Sequence, residues 1–177
     1  MQNIYILRHF KVQDKTTKKL NSQEFDKWVD DYDNYDLDYL DINLPKIDKV
    51  FISSQNRTIK TAQYLKQDFT TLDELVEVKA KAFIFTNFKF SKSFWLIVGR
   101  LLWYFSLSKS EKREDTTQRA KKIVEILEND DSQNILIISH GLFLKILQKE
   151  LKSSGYSGKI DLKPENGVVY RFWKWKK

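Results

Sequence analysis

The sequence predicts an α/β fold in three layers, with a mostly parallel central sheet covered by helices on both faces. Short apolar runs of strand length alternate with longer segments whose apolar residues recur at helical spacing. This order favours parallel strands joined by helices. Hydrophobic residues make up 41% of the 177 residues, which is enough to bury a core. Because no glycine-rich linker or internal repeat divides the chain, we expect a single domain over residues 1–177.

Five segments have the composition of strands. Each is a short run of aliphatic, β-branched and aromatic residues, and the third shows some alternation of apolar and polar residues. The predicted strands are 3–7, 49–54, 74–85, 134–140 and 166–173.

Four segments have the pattern of helices. The first begins at Asn21, because Asn21 and Glu24 have the spacing of a capping box. The other predicted helices are 57–69, 111–128 and 142–151. Residues 84–110 are rich in phenylalanine, tryptophan, lysine and serine and match neither template.

The composition excludes several kinds of site. The chain has no cysteine, which excludes disulfides, thiolate zinc sites and cysteine nucleophiles and is compatible with a reducing compartment. The most apolar segment, 93–107, has Arg100 in its middle and is shorter than the roughly 20 residues of a membrane-spanning helix. The charged pair Arg8 and His9 leaves no room for a signal-peptide core at the start. We therefore expect a cytoplasmic protein without a membrane span.

Charge is unevenly distributed along the chain. The net charge is +7, yet residues 24–48 hold nine acidic and only two basic residues. The acidic segment looks like a solvated helix face and loop, and the remainder carries a balance of +14. Such a basic surface attracts phosphorylated metabolites, nucleic acid or acidic lipid, and charge alone does not distinguish among these ligands.

The two histidines occur in matching contexts, each directly after an apolar run. Arg8 and His9 follow the first predicted strand, Arg57 follows the second, and His140 ends the fourth. Side chains at the carboxyl ends of neighbouring parallel strands meet at one edge of the sheet. Imidazole is a competent nucleophile, and arginine pairs bidentately with phosphate oxygens. No acid cluster or cysteine accompanies the set, so we expect phosphoryl transfer and no metal site.

Three ordered motifs resemble the histidine phosphatase superfamily, which includes cofactor-dependent phosphoglycerate mutases and acid phosphatases. They are LRHF at 7–10, SSQNRTIKTA at 53–62 and SHG at 139–141, and ENGVVYRF at 165–172 is similar to the closing strand. The resemblance runs from about residue 3 to 173 and implies a phosphoglycerate mutase-like sheet.

The resemblance also implies roles for individual residues. His9 would be the nucleophile that becomes phosphohistidine, and the phosphate would be clamped by Arg8, Arg57 and His140. The candidate substrate-binding residues are Lys15, Ser53 of the second motif, Gly141 and Glu111, and the helix after Gly141 would add its dipole. No metal or cofactor is expected, since the arginines supply the positive charge.

The sequence departs from the family pattern at Phe10 and Lys15, and it matches a weaker part of the pattern at Glu111 and Arg119. Phe10 replaces the motif glycine and would narrow or reshape the pocket floor, and Lys15 stands where many members place a phosphate-binding asparagine. Glu111 and Arg119 match a weaker family spacing, but a carboxylate at a helix start and a solvated arginine explain them equally well.

The sequence does not identify a general acid. Many members place a glutamate just after the third strand, in a leucine-x-glutamate context, yet no carboxylate lies between Val78 and Ser110. Glu77 and Glu74 are the nearest before it, and Asp14 or Glu111 could approach from loops. Because a phosphoramidate needs less help from an acid than an ester does, a phosphohistidine substrate stays open.

The hypothesis is a metal-independent phosphatase acting on a phosphomonoester or phosphoramidate of a small molecule or phosphoprotein. Residues 83–110 occupy the place of the family's substrate-covering insertion, or else form an ordinary helical cap. The alternatives are a phosphohistidine-type protein phosphatase and a catalytically weak pseudoenzyme that binds phosphate or nucleic acid. The C-terminal YRFWKWKK would suit nucleic acid, although strand alternation explains it as well and nucleic acid is the less favoured partner.

Overall fold

The first strand of the fold is formed by an apolar run that is buried on both sides. A computed structural model describes residues 1–108 and 110–175. The strands are β1 (Gln2–Arg8), β2 (Lys11–Val12), β3 (Leu37–Asp38), β4 (Lys49–Ile52), β5 (Thr70–Thr71), β6 (Asn134–Ser139), β7 (Ser157–Gly158) and β8 (Val169–Lys174). The helices are α1 (Ser22–Tyr32), α2 (Asn56–Tyr64), α3 (Lys92–Tyr104), α4 (Arg113–Glu128) and α5 (Gly141–Ser153), with a short 3₁₀ turn at Asp73–Leu75.

Six strands form the central sheet in the order β5-β4-β6-β1-β8-β7. Strands β5, β4, β6 and β1 are parallel to one another. At the other edge, β8 pairs antiparallel with β1, and β7 pairs antiparallel with β8. Strands β2 and β3 form a separate two-stranded ladder. The mostly parallel α/β sheet predicted from the sequence is confirmed.

Alternate residues of the strands enter cores on opposite faces of the sheet. Ile4, Ile6 and Ile137 belong to the larger core, which also contains buried residues of α4 and α5. Leu7 and Ile138 belong to the core on the other face, which includes Ala62 of α2. This arrangement gives the three layers.

Helix α1 begins where the sequence predicts. The Asn21 side chain accepts from the backbone N–H of Glu24, and the Glu24 carboxylate accepts from the backbone N–H of Asn21. Phe25 and Trp28 on its inner face are buried, and Phe25 stacks on Trp95 with ring centroids 5.4 Å apart.

The predicted third strand, 74–85, is wrong. The strand beside β4 is the two-residue β5, and the chain then turns through Asp73–Leu75 and continues without a strand partner. The alternation has another origin: Val78, Ala80 and Ala82 are half-buried, whereas Lys79 and Lys81 between them are exposed. Side-chain burial can therefore follow a period of two without a backbone ladder.

The segment that matched neither template contains helix α3. Its N-terminus is capped by the Ser91 side chain, which accepts from the Phe94 N–H. The helix is apolar around most of its circumference, with Trp95 buried while Ile97 and Leu101 are exposed. This is why its helical period does not stand out in the sequence. Among the described residues, none of the helices could cross a bilayer by its length and hydropathy.

Candidate active site

The register of the sheet brings the two histidines together. Arg8 at the end of β1 lies opposite Ser139 at the end of β6, and the His9 N–H donates to the Ser139 carbonyl at 3.0 Å. The next residue along β6 is His140, whose ring centroid lies 5.1 Å from that of His9. Both side chains are buried, and both line one cavity that also includes Arg8 and Arg57.

His9 is held in one tautomer by its own backbone neighbourhood. Its Nδ1 lies 2.7 Å from the Phe10 carbonyl oxygen, which can only accept, so Nδ1 carries the hydrogen. Nε2 therefore keeps its lone pair. Burial, and then the nearby charge of Arg57, lowers the pKa of His9 to about 3. The ring is neutral near pH 7, as nucleophilic attack by Nε2 requires.

His140 is the N-cap residue of α5 and is almost fully buried. Its Nε2 lies 2.9 Å from Ser53 Oγ, and its Nδ1 lies 3.5 Å from Arg57 Nη2. Burial, followed by the charges of neighbouring groups, places the pKa of His140 well below its usual range. The Ser53 hydroxyl is itself buried at the end of β4, so it orients the imidazole and does not line the cavity.

Arg57 lies in the first turn of α2 and is fixed on two sides. Its Nε lies 3.3 Å from the Asp33 carboxylate, and its guanidinium lies 5.0 Å from the centroid of the Tyr32 ring. Asp33 also accepts from the backbone N–H of Asn56, at the start of the same helix. These contacts hold the guanidinium while its Nη2 end faces His140.

Arg8 packs against the start of α5. The position that a Cβ would occupy on Gly141 lies 3.1 Å from Arg8 Cζ, so the glycine lets the guanidinium approach the helix. Arg8 Nη1 donates to the Pro164 carbonyl, and its buried Nε has no hydrogen-bond partner among the described residues. Burial lowers the pKa of Arg8, with Glu77 opposing the shift. Even so lowered, the guanidinium keeps its charge at neutral pH.

Glu77 also lines the cavity. Its two carboxylate oxygens accept from the backbone N–H groups of Leu142 and Phe143, each at 3.1 Å, at the positive end of the α5 dipole. Leu75-Val76-Glu77 is itself a leucine-x-glutamate sequence, and it comes directly after the true third strand. On the sequence alone Glu77 is only one of four candidate acids, and its leucine-x-glutamate context goes unrecognised, because the predicted strand extends to residue 85 and places the expected position further along the chain.

The four predicted substrate-binding residues do not line this cavity, although Ser53 and Gly141 contact His140 and Arg8, which do. Lys15 lines a second, shallower pocket together with Gln13 and Asp36. Glu111 accepts from Arg119 Nη2 at 2.7 Å and from Thr116 Oγ1 at the same distance.

Arg119 is also tied to the backbone that leads to Glu77. Its Nη1 donates to the carbonyls of Glu74 and Val76, at 2.6 and 2.9 Å. The Glu111–Arg119 pair thus holds the segment that carries the cavity carboxylate.

Phe10 does not shape the cavity floor, contrary to expectation. Its side chain is fully buried, and its ring lies 5.9 Å from that of Tyr39 and 5.6 Å from that of Tyr64. The ring also lies against Gly167, where a Cβ would come within 3.3 Å of it. Phe10, which replaces the motif glycine, therefore belongs to a small separate hydrophobic core next to the acidic segment 24–48.

Among the described residues, no three histidine, aspartate or glutamate side chains are grouped so that they could hold a metal ion. The polar groups that line the cavity include the two imidazoles, the guanidiniums of Arg8 and Arg57, and the Glu77 carboxylate at a helix terminus. Such a set can bind a dianionic phosphoryl group, attack it through nitrogen and move a proton.

Comparison with known proteins gives a family match and several structural relatives. A sequence model described as histidine phosphatase superfamily (branch 1) matches residues 42–172. No curated protein matches the chain significantly.

Three solved structures share the fold at low identity. The product of an open reading frame of Mycobacterium tuberculosis has a TM-score of 0.60 and 14% identity, with 96% of this chain and 90% of that chain covered. Phosphoserine phosphatase from Entamoeba histolytica, in complex with 3-phosphoglyceric acid, has a TM-score of 0.57 and 12% identity, covering 97% and 90%. Phosphoglycerate mutase from Bacillus anthracis has a TM-score of 0.57 and 20% identity, covering 96% and 86%.

Proposed function

The chain belongs to branch 1 of the histidine phosphatase superfamily, and on this premise we propose that it hydrolyses a phosphomonoester through a phosphohistidine intermediate on His9. The observation that carries the proposal is the His9 ring, neutral and with Nε2 unprotonated, in a cavity lined by two guanidiniums. Phosphatases among the structural relatives support the reaction class.

In the first step, the Nε2 lone pair of His9 attacks phosphorus and the ester P–O bond breaks. Arg8 and Arg57 stabilise the negative charge of the phosphoryl oxygens, and His140, whose ring nitrogens contact Ser53 and Arg57, lines the same cavity. The leaving oxygen takes a proton from Glu77, which enters this step as the neutral carboxylic acid and leaves it as the carboxylate held by the amides of α5. The alcohol then departs.

In the second step, water attacks the phosphoryl group and the P–N bond breaks. Glu77 takes a proton from the water, and His9 recovers its neutral form as inorganic phosphate is released. The hydrogen bond from Nδ1 to the Phe10 carbonyl keeps the same tautomer throughout. Two amide N–H groups fix the Glu77 carboxylate in place for both transfers.

A carboxylate in the cavity favours an ester over a phosphoramidate as substrate. The reason to prefer phosphohistidine was the missing acid, and Glu77 removes that reason. Neither a pseudoenzyme nor a nucleic-acid-binding protein needs a neutral imidazole with a free nitrogen beside two arginines. The phosphomonoesterase is therefore the function that the site supports best.

The test is hydrolysis of p-nitrophenyl phosphate in the presence of EDTA. We expect the wild type to release phosphate and His9→Ala to be slower by at least about a thousandfold. Lys121→Ala, an exposed change on α4, serves as the control for handling and folding.

Trapping with a ³²P-labelled substrate adds a direct readout of the intermediate. The wild type should retain an acid-labile, base-stable label that His9→Ala lacks. Undiminished hydrolysis by a folded His9→Ala protein would remove His9 as the nucleophile, and the absence of hydrolysis by the wild type would reject the phosphatase.

A further inference from the structure

The cavity at the histidines continues far beyond the space that a phosphoryl group needs. Its volume is about 1120 Å³, which is at or above the upper end for sites that enclose a drug-sized ligand. Only one end of it carries the imidazoles and guanidiniums. The rest must accommodate the part of the substrate that leaves with the ester oxygen.

One wall is the inner face of α3, and this face is apolar. Trp95, Leu96, Gly99, Leu102 and Trp103 all line the cavity. At Gly99 no atom outside the helix's own backbone lies within 4 Å of the position of a Cβ, so the cavity is open there.

The three tryptophans of the cavity offer no free hydrogen-bond donor. Trp95 Nε1 donates to the Leu20 carbonyl at 2.9 Å, and Trp103 Nε1 donates to Thr116 Oγ1 at 3.0 Å. Trp28 Nε1 is directed to the Asp14 carboxylate at 3.4 Å. What these rings present to a ligand is therefore hydrocarbon and π surface.

A second part of the lining is the segment that follows Glu77. Val78, Ala80, Ala82 and Phe83 contribute apolar side chains to it, and the Phe83 ring packs on Trp95 with ring centroids 5.1 Å apart. A polar group of the substrate would be unpaired against these apolar side chains, which lowers affinity.

The charged side chains of the lining are either exposed to solvent or already paired, although three of them lie on these same two segments. Lys79, Lys81 and Arg100 line the cavity but are exposed, so their ammonium and guanidinium groups lie at the solvent side and attract an anion towards the opening. Asp33 is engaged by Arg57, and Asp30 is exposed.

We propose that the substrate is a phosphomonoester of a bulky apolar alcohol, aliphatic or aromatic, whose hydrocarbon part fills the apolar region of the cavity lined by α3 and residues 78–83. This inference rests on the proposed phosphatase function and names its substrate class. The phosphate is bound at the histidines, and the apolar group gains free energy by leaving water for the tryptophan-lined wall.

The n-alkyl phosphates test the proposal, because lengthening the chain changes burial while the leaving oxygen stays chemically the same. Below the micelle concentration, we expect kcat/KM for octyl phosphate to exceed that for ethyl phosphate by at least about a hundredfold. Comparable values for the two esters, with clear turnover of both, would overturn the substrate class and leave the phosphatase intact.

Filling the cavity should remove this preference. Gly99→Leu places a side chain in the open space, and we expect it to lower the octyl-to-ethyl ratio at least about tenfold, with a smaller drop in Gly99→Ala. Ile97→Phe adds bulk on the exposed side of the same helix and should keep the ratio of the wild type. Equal ratios in the Gly99 and Ile97 variants would contradict the proposal.

A binding measurement separates this inference from catalysis. Octylphosphonate and methylphosphonate lack the ester bond, and Trp28, Trp95 and Trp103 in the cavity wall report occupancy by their fluorescence. We expect octylphosphonate to bind at least about tenfold more tightly, even if no ester were hydrolysed. Equal affinity for the two phosphonates would reject the apolar subsite whatever the fate of the phosphatase proposal.

Discussion

At the scale of single residues, the protonation state of His9 depends on burial. The ring is 4% exposed, and its Nδ1 is committed to the Phe10 carbonyl. An imidazolium there would lack water and would face the Arg57 charge, which is why the pKa falls to about 3. The environment that keeps the nucleophile unprotonated also makes the folded protein sensitive to acid.

Stability should fall as the pH drops below the pKa of an unfolded histidine, near 6.5. The folded state resists protonation of His9 down to about pH 3, so between these values the unfolded chain binds more protons. From pH 7.5 to pH 5, His9 alone should lower the free energy of unfolding by about 2 kcal/mol.

Urea denaturation of the wild type and His9→Ala at both pH values measures this effect. The variant should lose less stability than the wild type on acidification, and His140→Ala should also lose less, because burial lowers the pKa of His140 as well. The same loss in all three proteins would show that the histidines are protonated equally in the folded and unfolded states.

The role that we propose for Glu77 also depends on its environment. Glu77→Gln keeps the shape of the side chain but cannot transfer a proton, so we expect kcat for an alkyl phosphate to fall about 10²- to 10⁴-fold. The fall should be smaller for p-nitrophenyl phosphate, whose leaving group needs little protonation. Glu74→Gln makes the same chemical change outside the cavity lining and should retain wild-type rates. An equal fall for both esters would point to a positional role for Glu77.

At the scale of elements, α3 is both a wall of the cavity and part of the core. Trp103 is buried in the larger core beside Ala120 and Ile123 of α4, and Trp95 is buried against Phe25 of α1. The same helix exposes Leu101 on its other side. A cap that shares side chains with two cores is not separable from the domain.

Truncating Trp103 should therefore cost stability and not only substrate preference. We expect Trp103→Ala to lower the free energy of unfolding by about 3–5 kcal/mol, since it removes a buried ring and its hydrogen bond to Thr116. Leu101→Ala, two residues before Trp103 on the exposed side of the helix and 52% exposed, should change it by less than about 1 kcal/mol. Chemical denaturation measures the free energy of unfolding of both variants. Similar small decreases in the two would mean that the packing of α3 contributes little to the stability of the fold.

At the scale of the whole molecule, the net charge of +7 acts together with the opening of the cavity. Lys79, Lys81 and Arg100 line it on the exposed side, while most of the acidic excess lies within residues 24–48. If the proposed function holds, we expect a dianionic substrate to be drawn towards the histidines over distances comparable with the Debye length.

Salt should weaken this attraction. We expect kcat/KM for a phosphomonoester to fall about threefold to tenfold when ionic strength rises from about 20 to about 200 mM. Lys79→Gln with Lys81→Gln should reduce the salt dependence, whereas Lys121→Gln with Lys122→Gln, exposed on α4, should leave it unchanged. A salt dependence that both double variants share would assign it to overall charge alone.

The positions of site residues that directly follow strands could be predicted from the sequence, whereas the positions of those on irregular segments could not. Arg8, His9 and His140 follow apolar runs whose parallel pairing brings their ends together, so the sequence pattern places them at one edge. Glu77 follows a two-residue strand that has no hydrophobic run of its own. Lys15 was assigned by motif spacing alone, which does not say where a side chain points.

The sequence by itself determined the layered α/β class, the family and the residue types available for phosphoryl transfer, because these follow from periodicity and from ordered motifs. Only the tertiary structure decided which carboxylate joins the histidines and what surrounds the rest of the substrate. The physical reason is that Glu77 is placed by the amides of α5 and the cavity wall by the indole contacts of α3. Both sets of contacts join segments that are distant in the chain and leave no local pattern.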